Sequence, residues 1–287
     1  MVIQWFPGHM TKARRLLVEN VALVDLVLEL RDARVPVSGA NPLINELIGK
    51  KPRLIVFTKE DLADPRLTQA HLAHFQAAGS MAVALDVRDR RKVRKLLGEI
   101  RKATSPLLPT DRKTGSPLRA ARILVAGIPN VGKSTLINTF SDRSATKTGA
   151  LPGVTRAKQW IRLTDGVELL DTPGLLWPRI DDGVVAFRLA VTGSIGEGGF
   201  VNTELAASLL AFLSSEYPEL LKDRYGISLD DGADGYALLA AVAGRRGLLV
   251  QGGQPDHERS ANVVLSEFRQ GKLGRITLDQ ELDRYDD

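Results

Sequence analysis

The densest chemistry in the chain lies in the nine residues Gly127 to Thr135, GIPNVGKST. They fit G-x-x-x-x-G-K-[ST] in the required context: an apolar run, Ile123–Ala126, leads in and a segment with helical spacing follows. Gly127 and Gly132 let the backbone curl, so that amide N–H groups across Asn130, Val131, Gly132, Lys133, Ser134 and Thr135 face phosphate oxygens. Lys133 supplies a point charge to the outer phosphates, and Ser134 offers a hydroxyl to Mg²⁺. The helix that begins there adds its positive end. The loop implies a nucleoside triphosphate as ligand.

Downstream stands Asp171-Thr172-Pro173-Gly174, at the end of the apolar run Val167–Leu170. An aspartate there can hold Mg²⁺ through water, and the Gly174 N–H can touch a γ-phosphate. Between the two motifs lies LPGVTR, Leu151 to Arg156, whose Thr155 is the candidate to close over Mg²⁺ and the γ-phosphate. Guanine is ordinarily read by N-K-x-D on a later strand, with the Asp accepting two hydrogen bonds from the base edge and the Lys packing along it. No such motif occurs from Leu175 to Asp287. Instead Thr58-Lys59-Glu60-Asp61 follows the run Leu54–Phe57, upstream of the phosphate loop. Thr and Asp also cap helices, but ligands of open α/β sheets bind at the carboxyl ends of strands, where this tetrapeptide falls. The motif order is then base reader, phosphate loop, first switch, second switch: a nucleotide-binding domain cut and rejoined. Chain termini of compact domains lie close together, so such a permutation leaves the sheet intact.

The elements that must hold these motifs follow from periodicity. Ala22–Leu30, Leu54–Phe57, Met81–Leu85, Ile123–Ala126 and Val167–Leu170 read as buried strands. Thr11–Asn20, Pro42–Ile48, Leu67–Ala78, Arg90–Lys102 and Lys133–Ser141 read as helices between them. The alternation predicts an α/β domain over residues 1–185, with a mostly parallel sheet and helices on both faces. Thr104–Ala120, with three prolines and a glycine, is the surface connection that joins the permuted ends and is expected to be mobile. Beyond Gly199 the segments Thr203–Tyr217, Pro218–Tyr225, Gly235–Gly244 and Asp256–Gln270 predict an all-α C-terminal domain over residues 200–287.

Composition excludes several classes. The 287 residues contain no cysteine, which removes disulfides, thiolate metal sites and cysteine nucleophiles. Four scattered histidines argue against a histidine metal centre. No apolar run reaches the length of a spanning helix, and the opening MVIQWFPGHM lacks the pattern of a signal peptide. A reduced, cytoplasmic, monomeric protein with no membrane or disulfide-linked partner is the expectation.

The ordered set WFPGHM (Trp5–Met10), DARVP (Asp32–Pro36), TKED, GIPNVGKST, PGVTR and DTPGLLWP resembles the YlqF/RbgA group of circularly permuted GTPases. The resemblance spans almost the whole chain. It implies GTP hydrolysis coupled to late assembly of the large ribosomal subunit, with the subunit precursor and rRNA as partners. Two positions depart from the family pattern. Thr58 stands where the family has Asn, which bears on base affinity or loop rigidity. The family's backbone contact to guanine has only a positional candidate, Asp86 in Asp86-Val87-Arg88. The glutamine that orients the attacking water in Ras-like enzymes is replaced by Leu175. His9, on the N-terminal loop, is the substitute that the resemblance implies; viewed alone it reads rather as a packed N-terminal histidine. Resemblance also makes Asn130 a candidate for holding K⁺ beside the phosphates, against the plain reading of a turn-favouring Asn.

Charge is unevenly spread beneath a net +5. Arg88, Arg90, Arg91, Lys92, Arg94, Lys95, Arg101 and Lys102 crowd one predicted helix, and Arg112, Lys113, Arg119 and Arg122 continue the run. Asp279, Glu281, Asp283, Asp286 and Asp287 make the C-terminal end acidic. The basic run reads either as a solvated face or as a phosphate-binding surface for structured rRNA, extended by Arg245, Arg246, Arg269 and Lys272. Loss of contacts from Gly174 and Thr155 to the γ-phosphate is expected to move the helical domain. Two other functions stay open: a P-loop GTPase of tRNA modification or stress signalling, and a nucleotide-gated RNA-binding module with incidental hydrolysis. Asp32 and Arg34 read either as support for the base-binding side or as a surface ion pair.

Overall fold

In the computed structural model the chain is described over residues 3–4, 15, 17–141, 160–163, 166–171, 176–177, 179–196, 200–227 and 234–282. Its main sheet has six strands: β1 (Leu26–Asp32), β2 (Arg53–Thr58), β3 (Met81–Ala84), β4 (Ala121–Gly127), β5 (Trp160–Leu163) and β6 (Val167–Asp171). They are ordered β3-β2-β1-β4-β6-β5. All neighbours run parallel except β5, which is antiparallel to β6. The parallel α/β class predicted from sequence is the one observed. Periodicity did not signal β5, which pairs Trp160 with Leu170 at the sheet edge.

Helices α1 (Pro42–Ile48), α2 (Pro65–Ala77), α3 (Arg90–Thr104) and α4 (Lys133–Ser141) belong to the same unit. Local caps set their starts. Asn41, Asp64 and Asp89 each accept backbone N–H groups from the first turns of α1, α2 and α3. Strand β1 is buried along its whole length, charged residues included. Glu29 and Arg31 share the face of Val27 and stand in register with Ile55 and Phe57. Their pair, at 2.7 Å, lies between two apolar clusters, one around Leu124 and Leu170 and one around Phe57 and Phe75. Arg53 also reaches Glu29, at 3.1 Å, and the Arg31 guanidinium stacks over Phe75. The charges are therefore paired where burial would otherwise be costly.

The connection Thr104–Ala120 carries more order than its composition predicts. Asp111 Oδ1 accepts from the backbone of Lys113 and Thr114, Thr110 bridges Pro117, and Arg119 makes two 2.7 Å contacts with Asp25. Thr104 is the buried last residue of α3.

The chain folds as two compact units, Gln4–Arg179 with Asp279–Asp287, and Ile180–Leu278 with Met1–Ile3. The second unit contains α5 (Gly183–Val191), α6 (Asn202–Glu216), α7 (Pro218–Tyr225), α8 (Gly235–Arg246) and α9 (His257–Arg269). It therefore begins about 20 residues before the expected boundary. Helix α6 packs against α8 and α9, and its Leu209, Leu210 and Leu213 are fully buried. Gly235 lets α8 come close: a Cβ there would lie 2.2 Å from the Ala207 carbonyl oxygen. Glu267 gathers Arg224, Arg246 and the Tyr225 hydroxyl. Burial alone would raise the Glu267 pKa, but these donors outweigh it and lower it.

Two expectations about charge change here. Arg246 is committed to Glu267, and Arg269 donates to the carbonyls of Ala190 and Val191 at the end of α5. Both therefore have partners within the helical unit, whereas the sequence count treated them as free charges. Asp279, counted with an acidic tail, is 1% exposed and belongs to the sheet-containing unit. Its carboxylate accepts from Val37 N–H, Ser38 N–H and the Ser38 hydroxyl, at 2.7, 2.9 and 2.6 Å.

Candidate nucleotide site

The carboxyl ends of the parallel strands deliver the site. Gly127 ends β4 in register with Leu30 of β1, and a Cβ at Gly127 would lie 2.6 Å from the Leu30 carbonyl oxygen. Its φ of 151° and that of Gly132, 104°, lie in conformations that favour glycine. Asn130 sits at φ 57°, which Asn tolerates better than most side chains. The loop then enters α4 at Lys133, whose side chain is buried and whose Nζ donates to the carbonyls of Gly127 and Ile128 at 3.0 and 2.8 Å. The lysine thus closes the loop over its own backbone. Ser134 and Thr135 are exposed in the first turn of α4, where the leading N–H groups of a helix have no intrahelical partner. This cradle fits a nucleotide's phosphates, and the exposed Ser134 hydroxyl fits a hard cation such as Mg²⁺.

The loop expected to read the base is joined to that cradle by Thr58. It is fully buried, stands in register with Asp32, and its hydroxyl lies 2.7 Å from the Val131 carbonyl oxygen, with the Arg31 carbonyl at 3.2 Å. Thr58 was expected to contact the nucleotide; its side chain instead points inward and braces the phosphate loop. A hydroxyl is enough for that task, so the change from Asn leaves the two loops tied.

Lys59 follows in the left-handed conformation, φ 55°, with Nζ 2.8 Å from Asp32 Oδ2. Asp32 in turn accepts from the Arg34 backbone N–H, Nε and Nη2. Burial would raise the Asp32 pKa, but the charges of Arg34 and Lys59 prevail and hold the carboxyl well below its ordinary range. Both Asp32 and Arg34 are 1% exposed, so the surface-pair reading of DARVP is ruled out. DARVP thus holds Lys59, the lysine expected to pack along the base. The signal was available in outline, since an Asp ending β1 must lie beside the residue ending its parallel neighbour β2.

Asp61 is the expected acceptor for guanine. Its Oδ2 receives Arg88 Nη2 at 2.6 Å, while its Oδ1 is buried with no hydrogen-bond partner among the described residues. Asp86 holds the same guanidinium through Nε, at 2.9 and 3.2 Å. Burial would raise the Asp86 pKa, and hydrogen bonds from Arg88 overcome it and lower it. Arg88 was counted in the basic run; it is tied to Asp61 and Asp86 instead. Lys92 pairs with Glu60 at 2.5 Å, a second tie between α3 and that loop.

The Asp171 backbone ends β6 in register with Val125, at the same edge of the sheet. His9, Thr155 and Gly174 lie outside the described residues.

Ribosome biogenesis GTPase A of Bacillus cereus is 43% identical to this chain over 279 residues, covering 97% of this chain and 94% of that protein. The chain belongs to the ribosome biogenesis GTPase A family. The counterpart in Thermotoga maritima is 32% identical over 287 residues, covering 98% of this chain and 95% of that protein. A family model described as 50S ribosome-binding GTPase matches residues 122–213. Among solved structures, GDP-bound YlqF superposes with a TM-score of 0.67 at 29% identity, over 94% of this chain and all of that one. GNP-bound YlqF from T. maritima gives 0.63 at 28% identity, over 93% of this chain and 97% of that one. The protein is accordingly a circularly permuted P-loop GTPase that binds guanine nucleotide, and the motif order inferred from sequence is that of its family.

Proposed function

We propose that this GTPase acts in late maturation of the large ribosomal subunit, binding the precursor particle and its rRNA in a GTP-dependent manner. The observation that carries the reading is the joining of the two loops through Thr58, across the strand β1 that separates their parent strands β2 and β4, in a chain related end to end to ribosome biogenesis GTPase A. Mg²⁺ would be held by Ser134, with Asp171 and Thr155 completing its surroundings. It would spread the charge that develops on the phosphates. Lys133 neutralises the outer phosphates, and the Gly174 N–H binds the γ-phosphate. His9 orients the attacking water in place of the missing glutamine, and Asn130 would hold a K⁺ that adds positive charge beside the phosphates.

The rRNA-facing surface is the exposed side of α3. Arg91, Arg94 and Lys95 are exposed there and carry no ion pair among the described residues, whereas Val93, Leu96, Leu97 and Ile100 anchor the opposite side. Among the described residues no helix is long and apolar enough to cross a membrane. The chain acts in the cytoplasm as a monomer.

The test is co-sedimentation with large-subunit precursor particles in GDP and in a non-hydrolysable GTP analogue. Tighter binding with the analogue, falling steeply with salt, together with stimulated turnover, is expected. Equal binding in both states and no stimulation would refute the assignment to subunit assembly. His9→Ala should lower particle-stimulated turnover, and turnover should be faster in KCl than in NaCl at equal ionic strength.

A further inference from the structure

We propose that Arg88 is a built-in competitor for guanine at Asp61, and that it sets the affinity and the association rate of guanine nucleotides. The proposal rests on the reading of Asp61 as the acceptor for the base. Guanine presents its N1–H and 2-amino group on one edge, and the N1–C2–N2 fragment is itself a guanidine unit. Arginine carries the same planar fork of N–H donors, which matches a carboxylate. Here one prong of that fork, Nη2, reaches Asp61, 2.6 Å from Oδ2.

The remaining contacts are those of a guanidinium moored beside the site. Nε lies 2.9 Å from Asp86 Oδ1 and 3.2 Å from Oδ2, Nη2 also lies 3.0 Å from Oδ2, and the Arg88 backbone N–H donates to Oδ1 at 2.9 Å. The Asp61 oxygen that Arg88 leaves alone, Oδ1, is buried and has no partner among the described residues. A buried carboxylate oxygen without a donor is costly, and a base N–H would satisfy it. The second base N–H must go to Oδ2, where Arg88 already sits. Oδ2 has another lone pair, but a cation beside it weakens its attraction for a further donor. The base therefore binds best after Nη2 has moved off, with the Nε contacts to Asp86 keeping the side chain close.

Solvent limits the size of the effect. The Arg88 side chain is 66% exposed and that of Asp61 30%, and pairs this open shift an equilibrium by only about two- to five-fold. The interaction is thus strong enough to tune nucleotide binding and weak enough to yield to it.

The experiment measures association rates and affinities of fluorescently labelled GDP for the full chain, with competition by unlabelled GDP and XDP. Arg88→Ala is expected to tighten GDP binding by about two- to five-fold, mainly through faster association. Arg88→Gln, which keeps a polar side chain without the charge, should do the same. Asp61→Asn should exchange the preference for GDP for one for XDP, because a carboxamide N–H meets the C2 oxygen of xanthine. In that background Arg88→Ala should bring no gain, since the neutral amide no longer holds the guanidinium. If Asp61→Asn leaves the preference for GDP intact, the base-reading assignment itself is wrong. If the preference changes but Arg88→Ala leaves GDP binding unchanged or weaker, Arg88 does not compete and the proposal is overturned. An equal gain in both backgrounds would overturn it too, by tracing the effect to general charge.

Discussion

Replacing Asp32 with Asn tests whether the buried carboxylate of DARVP holds the base-packing lysine in place. Asp32 is 1% exposed and receives the Arg34 backbone N–H and Nε at 3.0 Å, Arg34 Nη2 at 2.7 Å and Lys59 Nζ at 2.8 Å. A carboxamide keeps the shape, removes the charge and turns a donor toward two cations. Breaking one side of a buried ion pair costs about 3–5 kcal/mol. Lys59 is 24% exposed and can recover some hydration, so the lower end, about 3 kcal/mol, is expected. For a unit of this size that corresponds to a fall in melting temperature of roughly 6–12 °C.

The same change should weaken GDP binding about five-fold, near 1 kcal/mol, because Lys59 loses the contact that fixes it. Adding Lys59→Met to Asp32→Asn should then cost little further affinity, whereas in the native background it should cost at least as much as Asp32→Asn. Acid behaviour gives an independent check. The native Asp32 pKa is depressed, so its stabilisation is fully present above the unfolded value, about 4, and is lost as pH falls further toward the native value. Asp32→Asn should remove that part of the acid limb. Urea unfolding at several pH values and GDP titration read both effects. If stability falls while GDP affinity stays native, Asp32 serves the fold alone and the link to Lys59 is refuted.

Gly127→Ala should abolish nucleotide binding and lower stability by about 2–4 kcal/mol, since the new Cβ meets the Leu30 carbonyl at 2.6 Å and neither backbone can yield; native-like GDP affinity would contradict this. Thr58→Val keeps the shape but removes the donor to Val131, so a loss of about 1–2 kcal/mol in urea unfolding and weaker GDP binding are expected, with Thr58→Ser restoring both. His71 is fully buried, and its pKa is lowered by burial against the opposing hydrogen bond to the Asp279 carbonyl. The unfolded chain therefore takes up the proton first, and stability should decline as pH falls below about 6.5. His71→Asn should flatten that decline, and an unchanged slope would show that another group titrates there.

The parallel sheet was legible because its strands are short apolar runs bounded by turn residues, and burial on both faces leaves no other reading for Ile123–Ala126 or Leu54–Phe57. The phosphate loop was legible because its backbone requires glycine at fixed positions. Strand β5 was not, since WIRL at the sheet edge has an exposed Arg162 and pairs on one side only. Helix α5 also escaped notice: GVVAFRLAV is apolar nearly all round, so no polar face marks its period. Its cap, Asp182, was a readable signal, accepting from Val184 and Val185.

The charged residues explain why the site was harder to read than the fold. Sequence arithmetic treats each Arg or Lys as free, but an ion's meaning depends on what stands within about 4 Å of it. Arg88 and Lys92 sit among the basic residues of one helix by count, and in space they are the partners of Asp61, Asp86 and Glu60. Arg119 and Arg122 likewise answer Asp25 and Glu168, and Asp279 closes onto Val37 and Ser38 across more than 200 residues of sequence. Subtracting such pairs shrinks the basic run and moves it. What stays exposed on α3 without an ion pair among the described residues is Arg91, Arg94 and Lys95, which helical spacing gathers on one side, away from Val93 and Leu97. A phosphate surface on α3 must therefore be sought on that side. Charge-reversal there should lower rRNA affinity while leaving guanine affinity native, whereas the same change at Arg88 should alter the nucleotide first.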